Sequence, residues 1–287
     1  MVPAVRYAIA SFVASLVILA IKTAAWWATG SAVLLADAAE SSLDVVTASL
    51  LVLAVRYSSR PPDAGHPWGH GKVEYFSSGF QGALILAAGV GVGVEGVRRL
   101  LAGAEPGSLA EGLGLSALAT FANLALALTL IRVGQRVRSP ALEADGRHNL
   151  TDVLTTLGGW VGLGLAWLTG IWALDPLFAL VVAAQILFTG GTLVRNAVNG
   201  LMDAALDPMR HEALERALRG ALDPDATLLS LRARASSERV FVDCVVTVPG
   251  ERTVASAHSL CDVLERAARE AVPGAEVHVH VEPSGVQ

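Results

Sequence analysis

Charge is scarce in this sequence. Only 16% of its 287 residues are Asp, Glu, Lys or Arg, against about a quarter in an ordinary soluble domain. With 53% hydrophobic residues and a mean hydropathy of +0.53, the deficit points to a lipid bilayer as part of the solvent. It excludes a disordered chain, which combines few apolar residues with high net charge. A formal net charge of -5 and a pI near 5.8 exclude a nucleic-acid binder held by positive charge. Cysteine is nearly absent as well. Cys244 and Cys261 stand far apart and outside any CxxC pair, so a disulfide scaffold is excluded and both read as small buried residues of a reducing compartment. No HExxH pattern occurs either, which removes an intramembrane metallohydrolase and leaves no enzymatic reading.

The missing charge is missing in blocks. Residues 75–94, 112–131, 153–174 and 176–194 contain no Asp, Glu, Lys or Arg for 20, 20, 22 and 19 positions. An α-helix rising 1.5 Å per residue needs about 20 apolar residues to cross a hydrocarbon core. These runs are therefore expected to be four membrane spans. Two further apolar stretches, 4–28 with Lys22 and 32–56 with Asp37, Glu40 and Asp44, bring the expected number to six. The first is not read as a signal peptide, because Lys22 and Trp26-Trp27 stand where cleavage would occur. Loops 57–74 and 132–147, with their helix edges, carry Arg56, Arg60, Lys72, Arg132, Arg136, Arg138 and Arg147, whereas the opposite loops carry Arg98 and Arg99. The positive-inside rule then puts both termini in the cytoplasm, with Trp26, Trp27, Trp167 and Trp172 near the outer interface.

From residue 208 the composition is that of a soluble domain, with nine Arg and twelve Asp or Glu. Helical periodicity after Pro208, strand alternation in TLLSLRAR and RVFVDCVVTV, a second helix in SAHSLCDVLERAAREAV and a third strand in AEVHVHVEP predict an αββαβ order. The expected organisation is a membrane-embedded all-α domain of six helices over 1–207 and a small cytoplasmic α+β domain over 208–287. That second domain is near the smallest size that folds alone, so pairing with a second copy would help it.

Acidic residues inside a span cost about 2.5 to 3.5 kcal/mol each at its centre unless neutralised, paired or wet. Glu40 and Asp44 are four apart and share one helix face, and His148 and Asp152 repeat that spacing in the fifth span. Counting ~1.5 Å per residue puts Asp44 and Glu40 about 12 and 18 Å from the inner face and His148 and Asp152 about 9 and 15 Å from it. Three carboxylates and one imidazole at matched depth make a four-ligand site for a divalent metal. The competing reading is that these groups line a proton path or pair with polar neighbours such as Ser41, Ser42, Asn149 and Thr151. Asp37, nearer the outside, reads as a supporting or access residue. In the loop DAGHPWGHGK, Asp63, His66 and His70 form a compact donor set for a second metal site. In the tail, His278, His280 and Glu282 alternate along one strand and share a face, while His258 lies on the preceding helix. His211 beside Glu212 reads as a surface residue.

KTAAWWATGSAVLLADAAESSLDVVTAS, HPWGHGKVEYF, EADGRHNLTDV, LMDAALDP and VHVHVEP follow one another along essentially the whole chain. In this order they resemble the motifs of the cation diffusion facilitator family of divalent metal transporters. The resemblance implies a homodimer with six transmembrane helices per protomer and a ferredoxin-like cytoplasmic domain. It implies export of Zn(II) or a related divalent ion from the cytoplasm in exchange for protons, in a bacterial inner membrane. It maps a transport site onto Glu40, Asp44, His148 and Asp152, a loop site onto Asp63, His66 and His70, and tail zinc positions onto His258, His280 and Glu282. It also makes Lys72 and Asp203 an interlock of charges between protomers. The chain departs from the family in having Glu40 where Asp or His is common, and Leu229 and Val245 where His is frequent. The runner-up function is a divalent-cation channel without proton coupling, which would use rings of charge from several subunits. One imidazole with three carboxylates and no thiolate suits Zn(II) first, then Fe(II), Co(II), Cd(II) or Mn(II).

Overall fold

The computed structural model describes residues 3–29, 32–102, 113–171 and 173–285; within its helices the side chains of 3, 25, 26, 28, 29, 32–40, 43, 113–116, 159, 160, 162–164, 166, 167 and 175 are also outside the description. Asp37, Glu40, Trp26, Trp167 and Trp172 fall among these. The chain divides into two compact units, 1–198 and 199–287.

The first unit is a bundle of long helices: α1 (Pro3–Thr29), α2 (Ala32–Ser58), α3 (Val73–Ala102), α4 (Leu113–Val137), α5 (Pro140–Thr169) and α6 (Leu174–Leu201). Among the described residues, four of them, α1, α3, α4 and α6, are long and apolar enough to cross a membrane. This is a transmembrane domain built of helices. Its helices begin and end away from the charge-free runs. Run 153–174 is not one helix, because α5 starts at Pro140 and stops at Thr169, with Gly170 at φ 71° beyond it. Likewise, the stretch 132–147 is not a loop: α4 runs to Val137, two residues make the turn, and α5 begins. The local chemistry of RSP explains it. Arg138 takes the left-handed conformation, Ser139 accepts the Leu142 N–H on its Oγ at 3.3 Å, and Pro140 sits at the first helical position, where its fixed φ fits and no N–H is needed.

Small residues let the helices approach closely. A Cβ on Gly146 would lie 2.7 Å from the Ile131 nitrogen, and one on Gly134 would lie 2.6 Å from the Glu143 nitrogen, so α4 and α5 meet backbone to backbone. On α3, Gly82 and Gly89 similarly admit Leu193 and Ile186 of α6.

The second unit is a small α+β domain: α7 (Pro208–Ala221), β1 (Thr227–Ser236), β2 (Arg239–Val248), α8 (Val254–Ala271) and β3 (Ala275–Pro283). The αββαβ order read from the sequence is the observed one. β1 and β2 form an antiparallel hairpin, and α8 crosses over to bring β3 parallel to β2, giving the sheet order β1-β2-β3. A crossover helix is what parallel neighbours require. Leu214 and Leu218 of α7 and Leu260, Leu264 and Ala268 of α8 are buried against Val240, Val242, Cys244, Val246 and Val277. Both cysteines are free thiols, Cys244 buried and Cys261 half-buried.

Candidate metal sites

Two groups of metal-capable side chains form among the described residues, both in the helical unit. In the first, Asp44 of α2 and His148 and Asp152 of α5 bring ligand atoms within 4.8 Å of one another. Asp44 Oδ1 lies 3.4 Å from His148 Nε2, and both side chains are largely buried. Ligands held about 2.0 to 2.1 Å from a tetrahedral zinc are separated from each other by about 3.3 Å, so this spacing is already that of two ligands of one ion. The helices make it possible. His148 and Asp152 are one turn apart on α5, and hydroxyls of Thr155 and Thr156 fold back onto the Asp152 backbone carbonyl at 2.8 and 2.9 Å. His148 Nδ1 is buried with no hydrogen-bond partner among the described residues. Glu40, one turn before Asp44, and Asp37 belong to the side chains outside the description.

One buried acid of this region is absent from the sequence reading. Asp145, 1% exposed, lies one turn before His148 on α5 and accepts a 2.7 Å hydrogen bond from Ser11 of α1. Its backbone carbonyl takes the Asn149 side-chain amide at 2.8 Å. The depths of His148 and Asp152 place the start of the fifth span near residue 142, so Asp145 falls in its first turn, where an acid at the end of a span draws no notice; the burial of Asp145 is what the sequence does not announce.

The second group is Asp63, His66 and His70, between α2 and α3. Asp63 Oδ1 is 3.4 Å from His66 Nδ1 and Oδ2 is 3.3 Å from His70 Nε2, again a ligand-to-ligand spacing. A tight turn builds it: the His66 and Gly65 N–H groups donate to Asp63 Oδ1 at 2.7 and 2.9 Å. The His66 N–H, more than the His70 imidazole, holds the Asp63 carboxyl below the usual carboxylate range. It therefore stays anionic through the neutral range. His70 is buried with its ring edge-on to Tyr57 at 4.7 Å, whereas Asp63 and His66 are exposed. The site is thus anchored on one side and open on the other.

The tail donors are not gathered in this way. His278, His280 and Glu282 share the face of β3 opposite to buried Ala275 and Val277, with His280 Nε2 3.4 Å from Glu282 Oε1. His258 is exposed on α8, whose Leu260 and Leu264 pack on the other face of the sheet. The described residues therefore form no three-donor group in the tail of a single chain. Val245 is paired with His280 across the strands, so an apolar side chain stands beside the histidine. His211 is half-buried at the start of α7. Asp203, in a left-handed conformation, accepts from Arg234 at 2.8 Å within the second unit, a partner the sequence does not announce. Lys72 is half-buried in the turn that enters α3.

Comparison with known proteins agrees with this picture. The family model of the cation efflux transmembrane domain matches residues 8–202, and that of the cytoplasmic domain of cation efflux proteins matches 212–284. The chain is 38% identical over 277 residues to the transporter sll1263 of Synechocystis, covering 96% of this chain and 89% of that one. It is 32% identical over 285 residues to the cation-efflux pump FieF of Pectobacterium atrosepticum, covering 96% and 91%. With FieF of Klebsiella pneumoniae it shares 31% over 287 residues, covering 98% and 93%. Long apolar helices, metal-capable clusters within the same helical unit and matches over nearly the whole length lead to one conclusion: the chain is an integral membrane protein of the cation efflux family of divalent-metal transporters.

Proposed function

We propose that this protein exports a divalent transition metal, Zn(II) foremost, from the cytoplasm in exchange for protons. The observation that carries the reading is the Asp44–His148 spacing of 3.4 Å, with Asp152 in the same cluster, on two helices inside the membrane domain. Glu40, one turn from Asp44, supplies the fourth ligand. Both α2 and α5, at 27 and 30 residues, are long enough to span the bilayer and complete six spans despite their charges.

The chemistry follows from the donors. Three carboxylates and a neutral imidazole leave a net charge of about -1 around a divalent ion. Without metal the same atoms hold up to three negative charges in a poor solvent, which protons neutralise. Metal and protons compete for one set of atoms. A site open to the cytoplasm loads metal and releases protons, and a site open to the other side does the reverse, so one rocking motion couples the two fluxes. One nitrogen and no sulfur suit Zn(II), Fe(II), Co(II), Cd(II) or Mn(II), and disfavour Mg(II) and Ca(II).

The Asp63–His66–His70 loop is a second cation site on the cytoplasmic side. In the tail, His258, His278, His280 and Glu282 would require a second chain or another donor to complete a site. Homodimerisation is supported by the match to the family's cytoplasmic dimerisation domain. Lys72 and Asp203 are assigned to the protomer interlock, Asp37 to metal access, and the protein to a bacterial cytoplasmic membrane with both termini inside.

The test is flux in proteoliposomes with a pH-sensitive dye and a panel of metals. Asp44→Ala and Asp152→Ala are each expected to abolish metal-driven proton movement. Near-normal transport by either variant overturns the assignment, and metal flux without proton movement in the unaltered protein makes it a channel.

A further inference from the structure

Glu74 lies in the first turn of α3 and is 2% exposed. Its two carboxylate oxygens accept from two hydroxyls on different helices. Ser58, the last residue of α2, donates to Oε1 at 2.6 Å, and Ser139, which caps the start of α5, donates to Oε2. One carboxylate thus joins the cytoplasmic ends of three helices. The arrangement suits a charge. Two helix N-termini, those of α3 and α5, converge on it, and both hydroxyl hydrogen bonds are charge-assisted and hence short and directional.

The two helices it ties are those that divide the transport site between them. Along α2, Asp44 is about 21 Å from Ser58; along α5, His148 is about 14 Å from Ser139 and Asp152 about 20 Å from it. Metal ligation tolerates only about ±0.2 Å in ligand distance, so a change in spacing where the helices are tied reaches the ligands. On its other side Glu74 is four residues after His70. The Val73 N–H donates to the His70 carbonyl at 3.2 Å and the Glu74 N–H to the Gly71 carbonyl at 3.3 Å, so the loop site and Glu74 share one turn of backbone.

We propose that Glu74 is a positioning residue that couples the loop site to the transport site. A cation bound by Asp63, His66 and His70 fixes the turn leading into α3, and Glu74 passes that constraint to the spacing of α2 and α5 and thereby to metal affinity in the membrane. This rests on the transport reading given above. Hydrogen bonds lead from the loop turn through Glu74 to the ends of α2 and α5, and the helices themselves cover the remaining distance to the ligands, so the coupling is a free energy for the double-mutant cycle to measure.

A double-mutant cycle on the full chain in proteoliposomes tests it, with Zn(II) as the probe. Asp63→Ala breaks the loop site and is expected to raise the transport KM about 5-fold or more, the usual lower range of coupling between sites. In the Glu74→Ala background the same Asp63→Ala change is expected to move KM by less than about 2-fold, because the link is already cut. Ser139→Ala, which removes the α5 arm together with the Ser139 cap and keeps the carboxylate, is expected to give the same uncoupling, and it carries the test if Glu74→Ala does not fold. An equal KM shift from Asp63→Ala with and without Glu74 or Ser139, even alongside a lowered melting temperature, overturns the proposal and leaves Glu74 a structural brace. No KM shift from Asp63→Ala in the unaltered background overturns it too. Failure of the transport reading is seen separately, as flux that survives Asp152→Ala.

Discussion

A buried carboxylate beside a metal site needs a reason, and Asp145 has one in Ser11. The hydroxyl donates at 2.7 Å to an acid that is 1% exposed, tying α1 to the turn of α5 just below His148. Hydrogen bonds to charged groups contribute about 1.5 to 3 kcal/mol, and a buried acceptor left without its donor costs its desolvation. Ser11→Ala is therefore expected to destabilise the helical unit by about 2 kcal/mol. It is also expected to weaken Zn(II) transport, through loss of the α1–α5 register and not through loss of a ligand. Thermal unfolding in detergent together with KM and kcat in vesicles reads both. An unchanged melting temperature would show that water replaces the hydroxyl. Glu40, Asp44, His148 and Asp152 stand out in the sequence by spacing alone, because two i,i+4 pairs of polar side chains have no place in an apolar span. Asp145 and Glu74 do not, because each lies near a helix end, where a charge looks ordinary until the helix boundary is known.

At the scale of elements, the α4–α5 hairpin fixes where His148 and Asp152 lie. Gly146, two residues before His148, faces the Ile131 backbone nitrogen at 2.7 Å and the Ala127 carbonyl at 2.9 Å from where a Cβ would be. Both partners are backbone, so neither can rotate away. Gly146→Ala is expected to push α5 off α4 at a cost of about 1 to 3 kcal/mol and to raise the KM for metal. Gly191→Ala of α6, whose Cβ would meet nothing within 4 Å, is the control and is expected to be neutral or slightly stabilising. Equal effects of the two in thermal unfolding and flux would show that the hairpin accommodates a methyl group. The helices themselves were legible from apolar length. Their ends were not, since RSP makes a cap and a first turn out of residues whose charge reads as loop.

For the whole molecule, the second unit carries its own core, and this core includes Leu206, which is 4% exposed. Asp207 caps α7 by accepting from the Met209 and Arg210 N–H groups at 3.1 and 3.4 Å. The boundary expected after residue 207 passes between this cap and its helix. A fragment 199–287 is expected to unfold cooperatively, and a fragment 208–287 to be less stable by about 3 kcal/mol, from one cap and one buried leucine. Urea unfolding of the two fragments checks it; identical midpoints would mean that neither contact matters.

Composition and periodicity determined the membrane class and the αββαβ order of the tail, and they singled out the polar i,i+4 pairs. The reason is that hydrophobic burial and helix pitch act along the chain and leave their period in it. The resemblance of the motifs supplied the family. Only the tertiary structure decided which donors meet. It brings Asp44 to within 3.4 Å of His148 and His70 to within 3.3 Å of Asp63, and puts His258 at an exposed position of α8, which packs on the sheet face opposite His280. It alone joins Ser11 to Asp145 and Glu74 to both Ser58 and Ser139, because contacts between residues 134, 16 and 65 positions apart on different helices are set by how helices pack.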